Sequence, residues 1–300
     1  MHHTIEIPEE GAFLYMPSTL AECTHVEYIE MCGLLYRYLA GELSYMDVRV
    51  QAVYKLLNLK QSKRTLMVVD EEAKWGNIYI LSQLIDTFFE DANGQKVMKL
   101  DYVHNPVPKF KPLWRTYHGT TPGFLNVTFG EYLDGLRLFL EFSKSGNTNL
   151  LYMLAAVFYR KAKPLHWFRK SRTDYDGDIR EAYNEHTVEA RAKALKYAPM
   201  GFVYGFYLTF ASFQKYITSA VVPWGGRELD LSILFEGDSG EMREAVPGRG
   251  MDGIAGALAE SGQLGDLDKV RGAKLWEVFL LLYDLKKKDL DYKLNEKSSK

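Results

Sequence analysis

Residues 126–161, NVTFGEYLDGLRLFLEFSKSGNTNLLYMLAAVFYRK, predict two apolar helices joined by a short turn. Thr128 is followed three residues later by Glu131, which is the spacing of a capping box, where a hydroxyl accepts from the free N–H groups of the first turn. Leucine and phenylalanine then recur at helical spacing. A Ser-Gly-Asn turn at 145–147 leads into the second helix at 150–159. Because few side chains here are reactive, the stretch predicts a helical body rather than an active site.

Helical periodicity recurs along most of the chain. Residues 17–60 predict a helical hairpin subdomain, with caps near Ser18 and at Ser44. Short β-branched or alternating stretches at 65–70 and 97–103 predict a minor β element. Further helices are predicted at 78–89, 181–197, 200–217 and 275–285.

The predicted fold is therefore mainly α, a single multi-helix domain of roughly eight helices with a minor β element. The domain is predicted to cover residues 1–285. Residues 286–300 form a charged tail that is expected to fray, and the glycine-rich segment 237–272 is expected to be the most mobile internal region.

Composition limits the classes of partner and compartment. The chain has a formal net charge of −2, so no global field attracts it to nucleic acid or to a membrane surface. Its two cysteines cannot form a disulfide framework or a four-ligand zinc site, and a reducing, cytoplasmic location is expected. The longest apolar run, 200–213, is shorter than the roughly 18 residues of a membrane span; it predicts a buried helix, and no membrane partner.

One acidic turn has the spacing of a calcium loop. Asp174, Asp176, Asp178 and Glu185 occupy its first, third, fifth and twelfth positions. The sixth position requires glycine for a sharp turn, and here it is Ile179. The alternative is a solvated acidic turn before the next helix, so no cofactor is predicted and the metal site stays a candidate.

A basic loop offers a candidate nucleic-acid contact. Its cations interleave with His166, Trp167 and Phe168, and aromatic rings among cations can stack on bases while the charges neutralise phosphates. The near-neutral chain favours the alternative, an exposed loop anchored to the core by Trp167. The candidate residues are Lys161, Lys163, Trp167, Arg169, Lys170 and Arg172.

A proline-rich segment, 105–123, predicts an extended strip over the surface, because each proline fixes its own backbone and restricts the preceding residue. Trp114, Tyr117 and Phe124 lie in or beside this strip and are the residue types that anchor interfaces. The alternative is that all three rings pack in the protein's own core. At least one ring is expected to be exposed in the isolated chain.

Several segments resemble a diffuse family of uncharacterised proteins from phages and prophages of Bacteroidetes-type bacteria, encoded among virion and tail-assembly genes. The similar segments are MPSTLAECTHVEYIEM (16–31), HNPVPKF with YHGTTPGFLNVTFGEY (104–110 and 117–132), LLYMLAAVFYRK (150–161), and LAESGQLGDLDKV leading to LWEVFLLLYDL (258–270 and 275–285). The family often has a proline after the arginine of the third segment, where this chain has Lys161.

The resemblance implies a non-enzymatic phage tail or virion assembly or structural protein that works through protein–protein contacts. Its partners would be other phage structural or assembly proteins, in the cytoplasm of the bacterial host or on the virion. The family supplies no catalytic residues, and no small-molecule substrate is evident in the sequence. Two alternatives stay open: an enzyme whose site is assembled from scattered residues, and a nucleic-acid-binding protein that uses the loop 161–172.

Overall fold

A computed structural model describes residues 2–7, 11–59, 71–92, 94–169, 171–173, 175–219, 221–224, 226–235 and 249–298. Contacts divide the chain into two compact units, the first made of 1–101 with 198–208 and the second of 102–197 with 209–300. The predicted strand at 65–70 and residues 237–248 of the glycine-rich segment lie outside the described residues.

Helices dominate both units. They are α1 (His25–Leu39), α2 (Tyr45–Leu56), α3 (Glu71–Gln83), α4 (Phe129–Ser145), α5 (Thr148–Phe158), α6 (His166–Arg169), α7 (Val188–Leu195), α8 (Met200–Ser219), α9 (Arg249–Glu260), α10 (Leu267–Gly272) and α11 (Leu275–Ser298). The strands are β1 (His3–Ile7), β2 (Ala12–Met16), β3 (Phe89–Ala92), β4 (Gln95–Met98), β5 (Lys109–Phe110), β6 (Tyr117–His118), β7 (Val221–Trp224) and β8 (Arg227–Asp230), and each pairs antiparallel with its sequence neighbour. The prediction of a mainly α fold with a minor β element is confirmed, while the boundary of a single domain at 285 stays a prediction.

The helical hairpin of the first unit is α1 and α2, and both helices begin at reciprocal capping boxes. The Thr24 hydroxyl accepts from the backbone N–H of Glu27, and Ser44 does the same with Asp47. The start predicted near Ser18 is instead a single 3₁₀ turn at Leu20–Glu22, so the long helix begins one turn later than predicted.

Helix α8 begins with two glycines four residues apart that lie on one face of the helix. A Cβ at Gly201 would lie 1.9 Å from the carbonyl oxygen of Ile29 in α1, and one at Gly205 would lie 2.7 Å from the ring of Tyr28. The Tyr28 hydroxyl donates to the Gly205 carbonyl at 2.7 Å. The apolar run is thus a buried helix, in backbone contact with α1. Within the described residues, no helix has both the length and the hydropathy needed to cross a membrane.

Both cysteines lie in the first unit, buried and unbridged. Burial raises the pKa of the Cys23 thiol to about 12, with the nearby Glu27 carboxylate adding to the shift. Burial also raises the pKa of Cys32 well above its usual value. Since the thiolate is the reactive form, both side chains behave as apolar core residues at neutral pH.

The second unit has an aromatic core built on α4 and α5. Phe124 stacks on Phe213 with ring centroids 4.3 Å apart, and it meets Phe158 edge to face at 5.7 Å. Tyr132 of α4 meets Phe279 of α11 edge to face at 5.4 Å. These are the geometries that the ring quadrupole favours. The large apolar side chains of 126–161 therefore serve to fill this core.

Some boundaries differ from the sequence predictions. Residues 181–184 are extended instead of helical, because the Glu181 N–H donates to the Lys161 carbonyl at 2.8 Å; α7 begins only at Val188. Helix α11 continues to Ser298, through the tail that was predicted to fray, and carries an i,i+4 ion pair between Asp289 and Lys293 that supports an exposed helix. Strands β1 and β2 were not predicted, and β4 ends at Met98, the partner of Phe89.

Candidate functional site

Four short segments of the second unit pair side by side in one antiparallel ladder, which we call the ladder. Strand β5 pairs with β6. His118 of β6 exchanges two backbone hydrogen bonds with Arg160, at 2.7 and 3.1 Å. Residues 160–163 in turn pair with 179–181, where Ala162 lies opposite Arg180 and the Lys163 N–H donates to the Ile179 carbonyl at 2.8 Å.

The order of these segments brings two distant loops to the same end of the ladder. Because neighbouring segments are antiparallel, the chain runs toward one end through 109–110, returns through 117–118, and runs toward that end again through 160–163. Residues 111–116 and the described residues of 164–178 therefore both lie at that end, and we call these two loops tip 1 and tip 2.

Both tips expose large apolar side chains. Trp114 in tip 1 is 81% exposed, and Trp167 in tip 2 is 68% exposed. Leu113, Leu165 and Phe168 are exposed beside them, and the rings of Trp167 and Phe168 meet edge to face at 6.0 Å. A group of exposed aromatic rings on one end of a folded unit is typical of a binding surface.

Positive charge is concentrated on two segments that overlap the tips, and Asp174, Asp176 and Asp178 of tip 2 follow directly after the second of them. Residues 109–118 and 161–173 hold eight of the 37 Lys and Arg of the chain and none of its 39 Asp and Glu, so the remaining residues carry a net charge of −10. Lys109, Lys111 and Arg115 are exposed, and none of them forms an ion pair with another described residue. Partial burial lowers the pKa of His118, electrostatic interactions with Lys109 and His166 lower it further, and Asp178 opposes the change.

A buried cluster of four charges, the ion cluster, fixes the base of the ladder to α4. Arg160 Nη1 lies 2.9 Å from Glu131 Oε1, and Arg180 Nε lies 2.9 Å from Asp178 Oδ1. Arg180 also donates to the carbonyl oxygens of Phe158 and Asn126, at 2.9 and 2.6 Å. All four charged side chains are buried, so their mutual pairing is what offsets the cost of removing them from water.

The pKa shifts agree with this arrangement. Burial raises the pKa of Asp178, but hydrogen bonds and charge from Arg180 outweigh that effect and hold the pKa below its usual value. Burial lowers the pKa of Arg160, and the Glu131 carboxylate opposes the change. Glu131 Oε2 lies 3.2 Å from Arg180 Nη2, close enough for an ion pair, but the angles do not form a hydrogen bond. That contact is therefore electrostatic rather than a directed bond.

A cavity of about 530 Å³ lies beside the ion cluster, with Glu131 and Arg160 in its wall. Tyr183 and Arg271 also line the cavity. The Tyr183 hydroxyl donates to Asp134, outside the wall, at 2.6 Å, and Arg271 donates to the same carboxylate at 2.8 Å. An enzyme assembled from scattered residues would need a cavity of this kind. Glu131 and Arg160 pair with each other, and Tyr183 and Arg271 both bind Asp134, so contacts within the fold explain their positions.

The calcium-loop candidates do not converge. Asp176 accepts from Lys163 at 2.7 Å, Asp178 belongs to the ion cluster, and Glu185 lies 3.1 Å from Arg271. Asp174 lies outside the described residues. Among the residues that are described, no group of three or more His, Cys, Asp or Glu side chains is placed to hold a metal ion. The cations of Asp176 and Asp178 belong to the ladder, and the cation of Glu185 belongs to α10.

The three predicted interface rings separate into two classes. Tyr117 and Phe124 are buried, the first in the ladder and the second in the aromatic core, so they stabilise the second unit and are not surface anchors. The prolines around them shape a segment that packs inward at these two positions. Trp114 alone of the three is exposed, at the turn of tip 1.

The basic-loop candidates lie mostly at tip 2. Trp167 does not anchor the loop to the core, because its ring is exposed. Lys163 is paired with Asp176, Lys161 is half-buried and Arg172 is exposed. Nothing is described for Lys170 or for the side chain of Arg169. Sequence reasoning did not find that tip 1 lies next to this loop, since no local signal links residues 118 and 160.

The site has no known counterpart among the proteins compared with it. No protein-family model matches the chain, and neither the curated proteins nor the solved structures give a match.

Proposed function

We propose that this protein is a non-enzymatic binding protein that holds a macromolecular partner on the two tips, as an assembly or structural component of a phage particle. The observation that carries the proposal is the placement of tip 1 and tip 2 at one end of the ladder, with their rings exposed. Exposing several large rings costs hydration free energy. A surface that covers them on binding recovers that free energy.

The base of the surface is held rigidly, which favours binding. The ion cluster and the backbone pairing at Arg160 and Arg180 fix the ladder against α4. A surface whose support is already ordered loses less conformational entropy when a partner binds. The phage context rests on the resemblance of the sequence segments, which implies partners among other phage structural or assembly proteins.

The test compares two matched variants in a host that produces the particles. Trp114→Ser with Trp167→Ser removes one ring from each tip. Trp75→Ser removes an exposed ring of α3, in the other unit, and serves as the control. Mass spectrometry of purified particles and assembly intermediates measures how much of each protein is retained.

We expect wild type and the Trp75 variant to be retained equally, and the double variant to be lost with its thermal stability unchanged. Equal retention of the double variant would show that the tips are not the contact surface. Absence of the wild-type protein from every assembly fraction would contradict the phage role itself.

A further inference from the structure

We propose that the two tips bind single-stranded nucleic acid, with bases stacked on the exposed rings and phosphates paired with the neighbouring cations. This inference rests on the proposed function, since it names single-stranded nucleic acid as a partner of the same surface, in addition to the phage proteins that the resemblance implies. The residues that carry it are Trp114, Trp167 and Phe168 as stacking groups, and Lys109, Lys111 and Arg115 as phosphate contacts.

The charge distribution favours a polyanion. The near-neutral total hides an asymmetry, because the segments 109–118 and 161–173 hold eight Lys and Arg and no Asp or Glu, although Asp174, Asp176 and Asp178 follow directly in tip 2. Pairing along the ladder brings these two segments together, although 42 residues of chain separate them. Asp176 of tip 2 is paired with Lys163, and Asp178 is paired with Arg180. The exposed cations Lys109, Lys111 and Arg115, in and beside tip 1, therefore supply the positive charge that attracts a flexible chain of phosphates.

The arrangement of the rings favours a single strand over a duplex. Adjacent hairpins of an antiparallel ladder are two strand spacings apart, or about 10 Å, so we expect the rings of tip 1 and tip 2 to form separate platforms. Bases in a duplex are already stacked on one another and present only their edges, whereas unpaired bases can stack on protein rings. A flexible strand can place successive bases on both platforms.

A protein partner with an acidic surface is the other class that fits the charges. It would pair with the cations, but it would gain less from rings set on two separate tips, since protein interfaces bury their aromatic residues in one well-packed centre. The two classes differ in what they require of the rings, so an experiment can separate them.

The experiment is a fluorescence anisotropy titration of the full chain with a labelled oligo-dT. A length of about 16 nucleotides is at the upper end of the sites that single-strand-binding domains cover. A duplex of the same length and poly-glutamate are the competing probes. We expect oligo-dT to bind more tightly than either. For three neutralised phosphates, the slope of log K against log salt should be about −2, since each contributes about −0.7 on a single strand.

Three variants assign the contacts. Lys111→Ala with Arg115→Ala should reduce the size of the salt slope by about 1.4. Trp114→Ala and Trp167→Ala should each weaken binding on the order of 10-fold, with the slope unchanged. The matched control is Lys74→Ala with Trp75→Ala, which removes a cation and a ring in contact on α3 and should leave the affinity as in wild type. Circular dichroism confirms that each variant is folded.

The possible results distinguish failure of nucleic-acid binding from failure of the proposed assembly role. If poly-glutamate binds as tightly as oligo-dT and the Trp114 and Trp167 variants bind as wild type, nucleic-acid binding is overturned. In that case loss of the Trp114/Trp167 double variant from particles still supports a protein contact at the tips. If oligo-dT binds as expected but the double variant is retained in particles, the nucleic-acid site stands and the assembly role of the tips is wrong.

Discussion

Neutralising Glu131 is the most direct test of the ion cluster. Glu131→Gln keeps the shape of the side chain but leaves Arg160 and Arg180 buried with the single carboxylate of Asp178. Glu131 Oε1 lies 2.9 Å from Arg160, and both side chains are almost fully buried. Removing one partner of a buried ion pair costs about 3–5 kcal/mol, because it leaves an uncompensated charge in a medium of low polarity.

The assay is urea unfolding followed by circular dichroism. With a denaturant dependence of about 2 kcal/mol per molar for a small domain, a loss of about 4 kcal/mol lowers the midpoint of the second unit's transition by roughly 2 M. The control is Asp289→Asn, which breaks an exposed i,i+4 pair with Lys293 on α11. Exposed pairs contribute about 0–1 kcal/mol, so the control midpoint should barely move.

A double variant tests whether the loss comes from charge. Glu131→Leu with Arg160→Met removes one acid and one base together and leaves the Arg180–Asp178 pair intact. Replacing a buried ion pair by apolar side chains of similar volume is often close to neutral, so the double variant should be much more stable than either single variant. A loss of unfolding free energy below about 1 kcal/mol for Glu131→Gln would refute the view that the buried charges stabilise one another. Additive losses in the double variant would refute it too.

Two further predictions follow from the packing and a third from the charge of Asp178. Gly201→Ala should destabilise the first unit by about 1–3 kcal/mol or more in urea unfolding, because the added Cβ meets the backbone of α1. Its control, Gly76→Ala in α3, has open space around it and should stabilise the unit by about 0.5–1 kcal/mol. Equal effects of the two substitutions would contradict the close contact between α1 and α8. Phe124→Ala should cost about 3–5 kcal/mol of unfolding free energy by emptying a buried ring site, and an unchanged melting temperature would place that ring outside the core. The folded-state pKa of Asp178 is depressed, so the stabilisation by this carboxylate is complete above the ordinary pKa of about 4 and is lost as pH falls through the folded pKa. Asp178→Asn should therefore flatten the fall of the unfolding free energy measured between pH 5 and pH 2. An unchanged pH profile would show that Asp178 does not cause the loss of stability in acid.

Local signals predicted the elements whose cause is local. The capping residues Ser44 and Thr128 marked helix starts correctly, because a cap depends on side chains within one turn. The apolar runs predicted α5 and α8 correctly, because a run of apolar residues is also a local signal. The hairpin of β1 and β2 shows alternating burial, which is a period of two and is not detected by a search for helical periodicity.

The site itself depends on contacts between distant parts of the sequence. Nothing near His118 shows that it pairs with Arg160, and nothing near Glu131 shows that two arginines from the ladder surround its carboxylate. The glutamate was interpreted as a capping residue, and its charge serves the ion cluster as well. Trp114 and the basic loop were identified as separate candidates, and only the pairing of the chain joins them in one surface.

The burial of both thiols has a practical consequence for following the tips in solution. Cys23 and Cys32 are the only cysteines of the chain, and with raised pKa values neither is a ready target for maleimide reagents at neutral pH. A cysteine introduced at Arg115 or Ser171, both exposed on the tips, would therefore be the one readily labelled position. A single dye or spin label placed there reports on the motion of one tip without removing the native thiols.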